Sequence, residues 1–164
     1  MKDSRKTKEW LICEIKELRD SLKKQISERK RVENALSESE GKYRKLIETA
    51  NDAIFIADAE TGIILYANRQ AEEMMNMTAE EIIGMHQKQL HPEDEAGDYK
   101  KIFSEHVQSG NGISEDIVVC RKDGHKIPVE ISASAIEWSG KKVVQGIFRD
   151  ITGRKRIEEA LSQS

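Results

Sequence analysis

The sequence predicts an α+β domain in which one five-stranded antiparallel sheet carries helices on one face. Two short apolar runs typical of strands precede a group of helical patterns, and three more follow it. A long helical pattern without proline or glycine comes before them all. With 164 residues, 37% of them hydrophobic, the chain can form one such core with polar flanks. We expect an N-terminal helix over residues 1–42, a central domain over 43–152 and the start of a C-terminal helix over 153–164.

The charge and apolar patterns exclude several classes of protein. Lys and Arg total 27 against 30 Asp and Glu, and no stretch resembles a basic nucleic-acid groove. No apolar run approaches the ~18 residues of a membrane span, and no apolar segment follows the basic start as in a signal peptide. Cys13 and Cys120 lack the spacing of a metal site. We therefore expect a cytoplasmic chain with no membrane segment, no nucleic-acid partner and no metal.

Residues 10–36 contain no Pro or Gly and predict one long amphipathic helix. Its apolar positions lie on one stripe, which predicts a short two-stranded coiled coil and a homodimer. The predicted dimer contacts are Leu11, Ile15, Leu18 and Leu22. Gln25 and Arg29 interrupt the stripe further along, so a single helix that folds back on the core is the alternative.

An internal repeat links the two ends of the chain. Residues 26–37 recur 125 residues later as 151–162, with eight of twelve positions identical. This separation suits one domain plus one connector rather than a solenoid. The same kind of helix is therefore expected to precede and follow the central domain. The chain is either one unit of an array or a free-standing unit with the connectors of an array.

The first half of the central domain predicts a hairpin followed by helices. Residues 54–58 and 63–67 flank a turn that contains Gly62. Helices are predicted over 69–75 and 78–83, the second with Thr78 and Glu81 as a capping box. His91 and Pro92, followed by acidic residues, predict the start of a longer helix that runs to about residue 109.

The second half predicts a three-stranded meander. Residues 117–120 and 127–133 flank Asp123-Gly124, a two-residue hairpin signal that would pair Cys120 with Ile127. Alternate residues from Ile127 onward are apolar, which predicts one buried face. Ser139-Gly140 then leads into a last strand over 143–148.

Seven short motifs together resemble a PAS domain of the S-box type, in order and at the expected spacings, over roughly residues 43–152. They are YRKLI at 43–47, NDAI at 51–54, YAN at 66–68, IG at 83–84, HPED at 91–94, RKDG at 121–124 and FRDIT at 148–152. The resemblance implies a sensory and dimerisation module of bacterial or archaeal signalling proteins of the two-component type, often upstream of a histidine kinase. We therefore expect the homodimer to form through the PAS core as well as through the N-terminal helix. It also implies that Asp150 and Thr152 form the junction between the last strand and an output helix. There we expect both side chains to satisfy backbone N–H groups and to relay the signal.

No catalytic motif accompanies this resemblance, so we expect no enzyme activity in this chain. There is no Gly-rich phosphate loop and no Ser/His/Asp or Cys/His arrangement. The light-sensing flavin branch of the family needs a cysteine after Gly84, and residues 85–90 contain none. Haem-binding members carry a ligating His in the long helix. Here that helix contains His106, while Tyr99 stands near the expected ligand position.

The sequence therefore does not identify a cofactor. Our first expectation is that none is bound, and haem and flavin are the alternatives. We predict a small apolar pocket between sheet and helices, which holds a small ligand or is a filled core. Its expected residues are Ile54, Ile56, Met74, Met77, Tyr99, Phe103, His106, Ile131 and Phe148. Two functions remain open, a ligand sensor and a ligand-free interaction module, each coupled to an output domain or a neighbouring domain.

Overall fold

The computed structural model describes residues 2–163. They fall into two compact units, one up to Lys45 and one from Leu46 onward. The first unit is a single helix, α1 (Lys2–Glu48), whose last residues belong to the second unit. The helix predicted over 10–36 is confirmed, and it extends further in both directions because the flanking residues also lack Pro.

The second unit contains one antiparallel sheet in the order β2-β1-β5-β4-β3. The strands are β1 (Ala53–Asp58), β2 (Ile64–Ala67), β3 (Asn111–Cys120), β4 (Lys126–Trp138) and β5 (Lys141–Asp150). Helices α2 (Arg69–Met75), α3 (Ala79–Ile82) and α4 (Ala96–Ser109) connect the first two strands to the last three. Helix α5 (Thr152–Gln163) follows β5. The predicted fold class is confirmed.

Local hydrogen bonds explain where the helices begin and end. Thr78 and Glu81 form the predicted capping box at α3, since each accepts a hydrogen bond from the other's backbone N–H. Gly110 ends α4 as predicted, in the left-handed conformation with φ of 83°. These two features were readable from sequence because both depend on neighbouring residues alone.

The predicted helix start at His91 and Pro92 is wrong. Two short 3₁₀ turns, Gln87–Leu90 and Glu93–Glu95, come first, and α4 begins only at Ala96. His91 is extended, with φ of −112° and ψ of 162°. A residue before proline is biased toward this conformation, which here places the His91 ring in the core.

The predicted two-residue turn between β3 and β4 is also wrong. Cys120 pairs with Lys126 rather than with Ile127, and the Arg121 N–H donates to the His125 carbonyl at 2.8 Å. The loop therefore has three residues, 122–124, and ends on Gly124 with φ of 86°. The Asp123 side chain accepts from the His125 N–H at 3.0 Å, which stabilises this longer loop.

Asn68, which follows β2, connects four parts of the second unit. Its side-chain oxygen accepts from the backbone N–H of Ile54 at 2.9 Å and of Ala71 at 3.0 Å. Its amide nitrogen donates to the carbonyls of Ile47 at 2.8 Å and Asp52 at 3.1 Å. The residue is fully buried, so these four bonds fix the end of α1, the approach to β1, β1 itself and the start of α2.

We expect Asn68→Ala to lower the free energy of unfolding by about 3 kcal/mol, because it leaves several buried backbone groups without partners. Urea denaturation followed by circular dichroism measures this. Asn51→Ala, at an exposed position, is the matched control and should change stability by less than about 0.5 kcal/mol. Equal effects of the two substitutions would contradict the role given to Asn68.

Candidate functional site

A cavity of about 50 Å³ lies between the sheet and the helical side of the second unit. Strands β1, β5, β4 and β3 form its floor, and α4 with the turn Gln87–Leu90 forms its roof. Its wall is mostly aliphatic and aromatic, and four polar side chains reach it. These are Gln87, His91, Tyr99 and His106.

The strand residues at the floor differ in part from those predicted. Ile131 and Phe148 line the cavity as expected, but β1 contributes Phe55 and Ala57. The prediction of Ile54 and Ile56 is wrong, because neighbouring residues of a strand point to opposite faces of the sheet. Every residue from Ala53 to Ala57 is buried, so the sequence of β1 gave no alternation from which to choose the face.

Two predicted methionines lie in the core but not at the cavity. Met74 is buried within the hydrophobic core, and Met77 packs against that core while partly exposed. Neither lines the cavity. Phe103, from α4, does line it as predicted.

His91, Tyr99 and Val118 form a closed polar group at the cavity wall. The His91 Nδ1–H donates to the Val118 carbonyl at 2.9 Å, and its ring stacks on Tyr99 with centroids 3.9 Å apart. The Tyr99 hydroxyl donates to Glu95 at 2.6 Å and accepts from the Val118 N–H at 3.3 Å. No sequence signal identified His91 as part of this site.

The environment of this group keeps both rings uncharged. Burial lowers the pKa of His91, so the ring is neutral at pH 7. Burial and the neighbouring Glu95 raise the pKa of Tyr99 to about 12, so its hydroxyl keeps its proton. The wall therefore presents two neutral aromatic rings whose donors are already used within the protein.

His106 lies at the other side of the cavity, against β3. Its Nε2 and the Ser114 hydroxyl are 3.2 Å apart and hydrogen-bonded. Its ring rests on Gly112, where an added Cβ would lie 2.2 Å from the ring Cδ2. Burial lowers the pKa of His106, which favours the neutral ring. Gly112 is thus required for the close approach of α4 to the sheet.

Gln87 is the polar group at the cavity whose hydrogen bonds are incomplete. The residue is 8% exposed, and its side-chain nitrogen has no hydrogen-bond partner among residues 2–163. A buried amide donor without a partner is unfavourable by about 1–3 kcal/mol. Among the features of this mostly apolar wall, this donor most clearly indicates a position where a ligand could form a hydrogen bond.

A family profile described as a PAS domain matches residues 51–153. This chain belongs to the PAS domain family. It is 31% identical over 127 residues to the methyl sulfide methyltransferase-associated sensor of Methanosarcina acetivorans, covering 77% of this chain and 13% of that protein. It is 27% identical over 142 residues to sensor protein FixL of Bradyrhizobium diazoefficiens, covering 84% of this chain and 28% of that protein.

Solved structures agree with this assignment. The PAS domain of an HTR-like protein from Haloarcula marismortui superposes with a TM-score of 0.64 at 23% identity, covering 74% of this chain and 99% of that chain. A domain of a sensory box sensor histidine kinase/response regulator from Geobacter sulfurreducens gives 0.59 at 28% identity, covering 70% and 96%. The chain spans less than a third of each curated sensor it matches. It is a PAS sensor module of signal transduction.

The cavity of this PAS domain does not fit haem or flavin. Its volume of about 50 Å³ is far below the roughly 300–1,000 Å³ typical of pockets for larger ligands. His106 is bonded to Ser114, and Tyr99 is bonded to Glu95 and Val118, so neither side chain is free to serve as an axial ligand. Among the described residues, no group of three His, Cys, Asp or Glu side chains could hold a metal ion.

The junction between β5 and α5 of the PAS domain is built around Asp150. Its carboxylate accepts from the Thr152 backbone N–H at 2.8 Å and from the Thr152 hydroxyl at 2.5 Å. The Thr152 hydroxyl itself donates to Asp150, and no backbone N–H of residues 2–163 donates to its oxygen, so only Asp150 satisfies a backbone N–H here as expected. The relay role of the two residues stays a prediction.

The predicted dimer contacts on α1 are exposed within the chain. Leu11, Ile15, Leu18 and Leu22 are 46% to 65% exposed, on a unit that is one helix.

Within the described residues, no helix is long and apolar enough to cross a membrane.

The lowered pKa of His91 predicts a pH dependence of stability. The unfolded chain binds a proton near pH 6.5 that the folded state excludes, so the free energy of unfolding falls as the pH drops below about 6.5. The slope contributed by one such proton approaches about 1.4 kcal/mol per pH unit. Urea midpoints between pH 7.5 and 5 should therefore fall less steeply in His91→Gln than in the wild type. His125→Gln, the same substitution in the exposed turn, is the control and should leave the urea midpoint at pH 7.5 unchanged.

Proposed function

We propose that this PAS domain senses a small ligand in its cavity and relays the occupied state to an output domain. The observation that carries the proposal is the Gln87 amide, a buried donor without a protein partner at the cavity wall. A ligand that offers a hydrogen-bond acceptor would pair with this donor and so bind more tightly than an apolar molecule of the same shape.

The dimensions and lining of the cavity limit the ligand class. About 50 Å³ accommodates roughly three water-sized groups, since each needs ~10–15 Å³. The remaining wall is apolar, and the donors of His91 and Tyr99 are already used. The proposed ligand is therefore an uncharged molecule of about four non-hydrogen atoms with one acceptor oxygen.

A surface groove offers such a ligand a path from solvent. This groove of about 220 Å³ lies between the turn at Gly62 and α4, next to His86 and Lys100. Gln87 and Phe103 line both the groove and the cavity. A rotation of the Phe103 side chain would connect the two spaces.

The small cavity also favours a second candidate, a ligand-free interaction module. In that case the cavity is an ordinary packing void of the core that binds no ligand, and signalling depends on contacts between chains. The stripe of Leu11, Ile15, Leu18 and Leu22 supports homodimerisation in either case, because half-exposed leucines at heptad positions are stabilised by a partner helix.

The proposed module has no catalytic activity of its own and depends on an output domain. The matched sensors are more than three times as long as the region they share with this chain, which leaves room for such a domain. A cytoplasmic location fits the two free cysteines, Cys13 and Cys120.

Acetone and isobutene form a matched pair of probes for the ligand site, since they share a shape but only acetone has an acceptor oxygen. We expect acetone to shift the NMR signals of the Gln87 side-chain amide in a saturable manner. In Gln87→Leu its affinity should fall by about tenfold, the equivalent of one lost hydrogen bond.

Isobutene is the control, and its binding should be unchanged or stronger in Gln87→Leu. If neither probe shifts cavity signals of the wild type, the ligand-free candidate replaces the sensor. Equal effects of Gln87→Leu on both probes would contradict recognition by a hydrogen bond.

The proposed dimer is tested by light scattering over a range of concentrations. The wild type should show the mass of two chains, and Leu18→Glu/Leu22→Glu should show one, because charges cannot be buried in the seam. Ser27→Glu/Asn34→Glu adds the same two charges at heptad positions opposite the seam and should remain dimeric. A monomeric wild type would refute the dimer while leaving the ligand proposal intact.

A further inference from the structure

Two consecutive cations at the start of α5 are paired with two strands of the sheet. Arg154 lies 3.5 Å from the Glu130 carboxylate of β4. The Lys155 ammonium forms an ion pair and hydrogen bond with Asp116 of β3. We call these four residues the bulge clasp.

The acidic half of the bulge clasp is formed by an irregularity in β3. Ser114 pairs with Ile131, whereas Ile117 pairs with Val129, so β3 has one extra residue between them. Glu115 and Asp116 together oppose Glu130, the arrangement of a β-bulge. The bulge therefore brings both acidic members of the clasp to the same point of the sheet.

Asp116 adopts an unusual backbone conformation at this bulge. Its φ is 57°, in the left-handed region that most residues avoid. A strained residue persists only where the surrounding structure holds it, and such positions cluster at functional sites. Here the conformation coincides with the contact between Asp116 and the cation of α5.

The residues on either side of the bulge face the cavity. Ser114 is hydrogen-bonded to His106, and Ile117 lines the cavity wall. Gly112, two residues before Ser114, supports the His106 ring. A displacement of His106 thus acts directly on the strand segment that contains Asp116.

We propose that the β3 bulge connects the cavity to α5, so that a change at His106 shifts Asp116 and Glu130 and releases the start of the helix. This route is separate from the Asp150 junction, since it leaves the sheet through β3 and β4. The use of this route in signalling rests on the proposed function. The contact itself can be tested without a ligand.

The strength of the bulge clasp suits a reversible contact. The side chains of Asp116 and Lys155 are 73% and 34% exposed, and such surface pairs are individually weak. A small movement of the bulge is therefore sufficient to change how often the start of α5 is held.

Hydrogen–deuterium exchange of the full chain tests the contact. Asp116→Asn removes the charge while keeping a residue that tolerates positive φ, and Lys155→Gln removes its partner. Each should speed exchange of the α5 amides by about two- to fivefold, the effect of one surface ion pair. The double variant should be no faster than the faster single one. Arg156→Gln is the matched control, since Arg156 makes no ion pair within residues 2–163, and it should leave α5 unchanged.

Unchanged exchange of α5 in both single variants would overturn the contact, and additive effects in the double variant would show that the two residues act separately. Protection of the sheet amides should be unaffected in every case.

The cavity side is tested with Gly112→Ala, whose Cβ must displace the His106 ring. We expect faster exchange in α5 although Gly112 does not touch it, and no additional effect in the Asp116→Asn background. Gly97→Ala, with no atom within 4 Å of the added Cβ, is the control. If Gly112→Ala unfolds the domain, Ser114→Ala removes the hydrogen bond to His106 and should act in the same direction. Exchange confined to α4 and β3 would overturn the route, whatever the acetone experiment shows.

Discussion

The amide side chain of Asn68 holds together the parts of this PAS domain that define its site. Its four hydrogen bonds join the end of α1, the residues before β1, β1 itself and the first turn of α2. β1 is an inner strand that supplies Phe55 to the cavity floor, so its position decides the shape of the site. Because the side chain is fully buried, water cannot replace any of these bonds. The cavity floor, the sheet and the last residues of α1 are thus held in place by the same side chain.

The polar side chains at the cavity differ in whether their hydrogen bonds are made within the protein. His91 and Tyr99 donate to the Val118 carbonyl and to Glu95, and His106 is hydrogen-bonded to the Ser114 hydroxyl, so all three belong to the wall. Gln87 has a fully buried side-chain nitrogen without a hydrogen-bond partner in the described chain. A cavity that is otherwise apolar gains specificity from a single group of this kind, since every other contact depends on shape alone. The same site is too small for haem or flavin.

Two different features link the sheet to α5. At the end of β5, Asp150 fixes the backbone where the strand becomes a helix. At β3 and β4, the bulge clasp holds two side chains of the first turn of α5, Arg154 and Lys155. The first is a short-range backbone contact, whereas the second depends on a strand that also borders the cavity. With two separate links, α5 stays attached to the sheet at Asp150 when the proposed release of the bulge clasp occurs.

The sequence by itself determined the order of elements, the α3 capping box, the end of α4 at Gly110 and the membership of the PAS family, because these depend on local periodicity and neighbouring residues. Five of the residues expected at the pocket do line the cavity, namely Tyr99, Phe103, His106, Ile131 and Phe148. The tertiary structure alone decided which face of β1 meets the cavity, since an inner strand buried on both sides shows no alternation. It likewise decided the three-residue turn after β3 and the inward direction of His91. Asp123 and Pro92 favour the local backbone in each case. Each feature also includes a contact with a residue distant in sequence, from the Lys122 N–H to the Met75 carbonyl and from His91 to the Val118 carbonyl, which a local pattern does not encode.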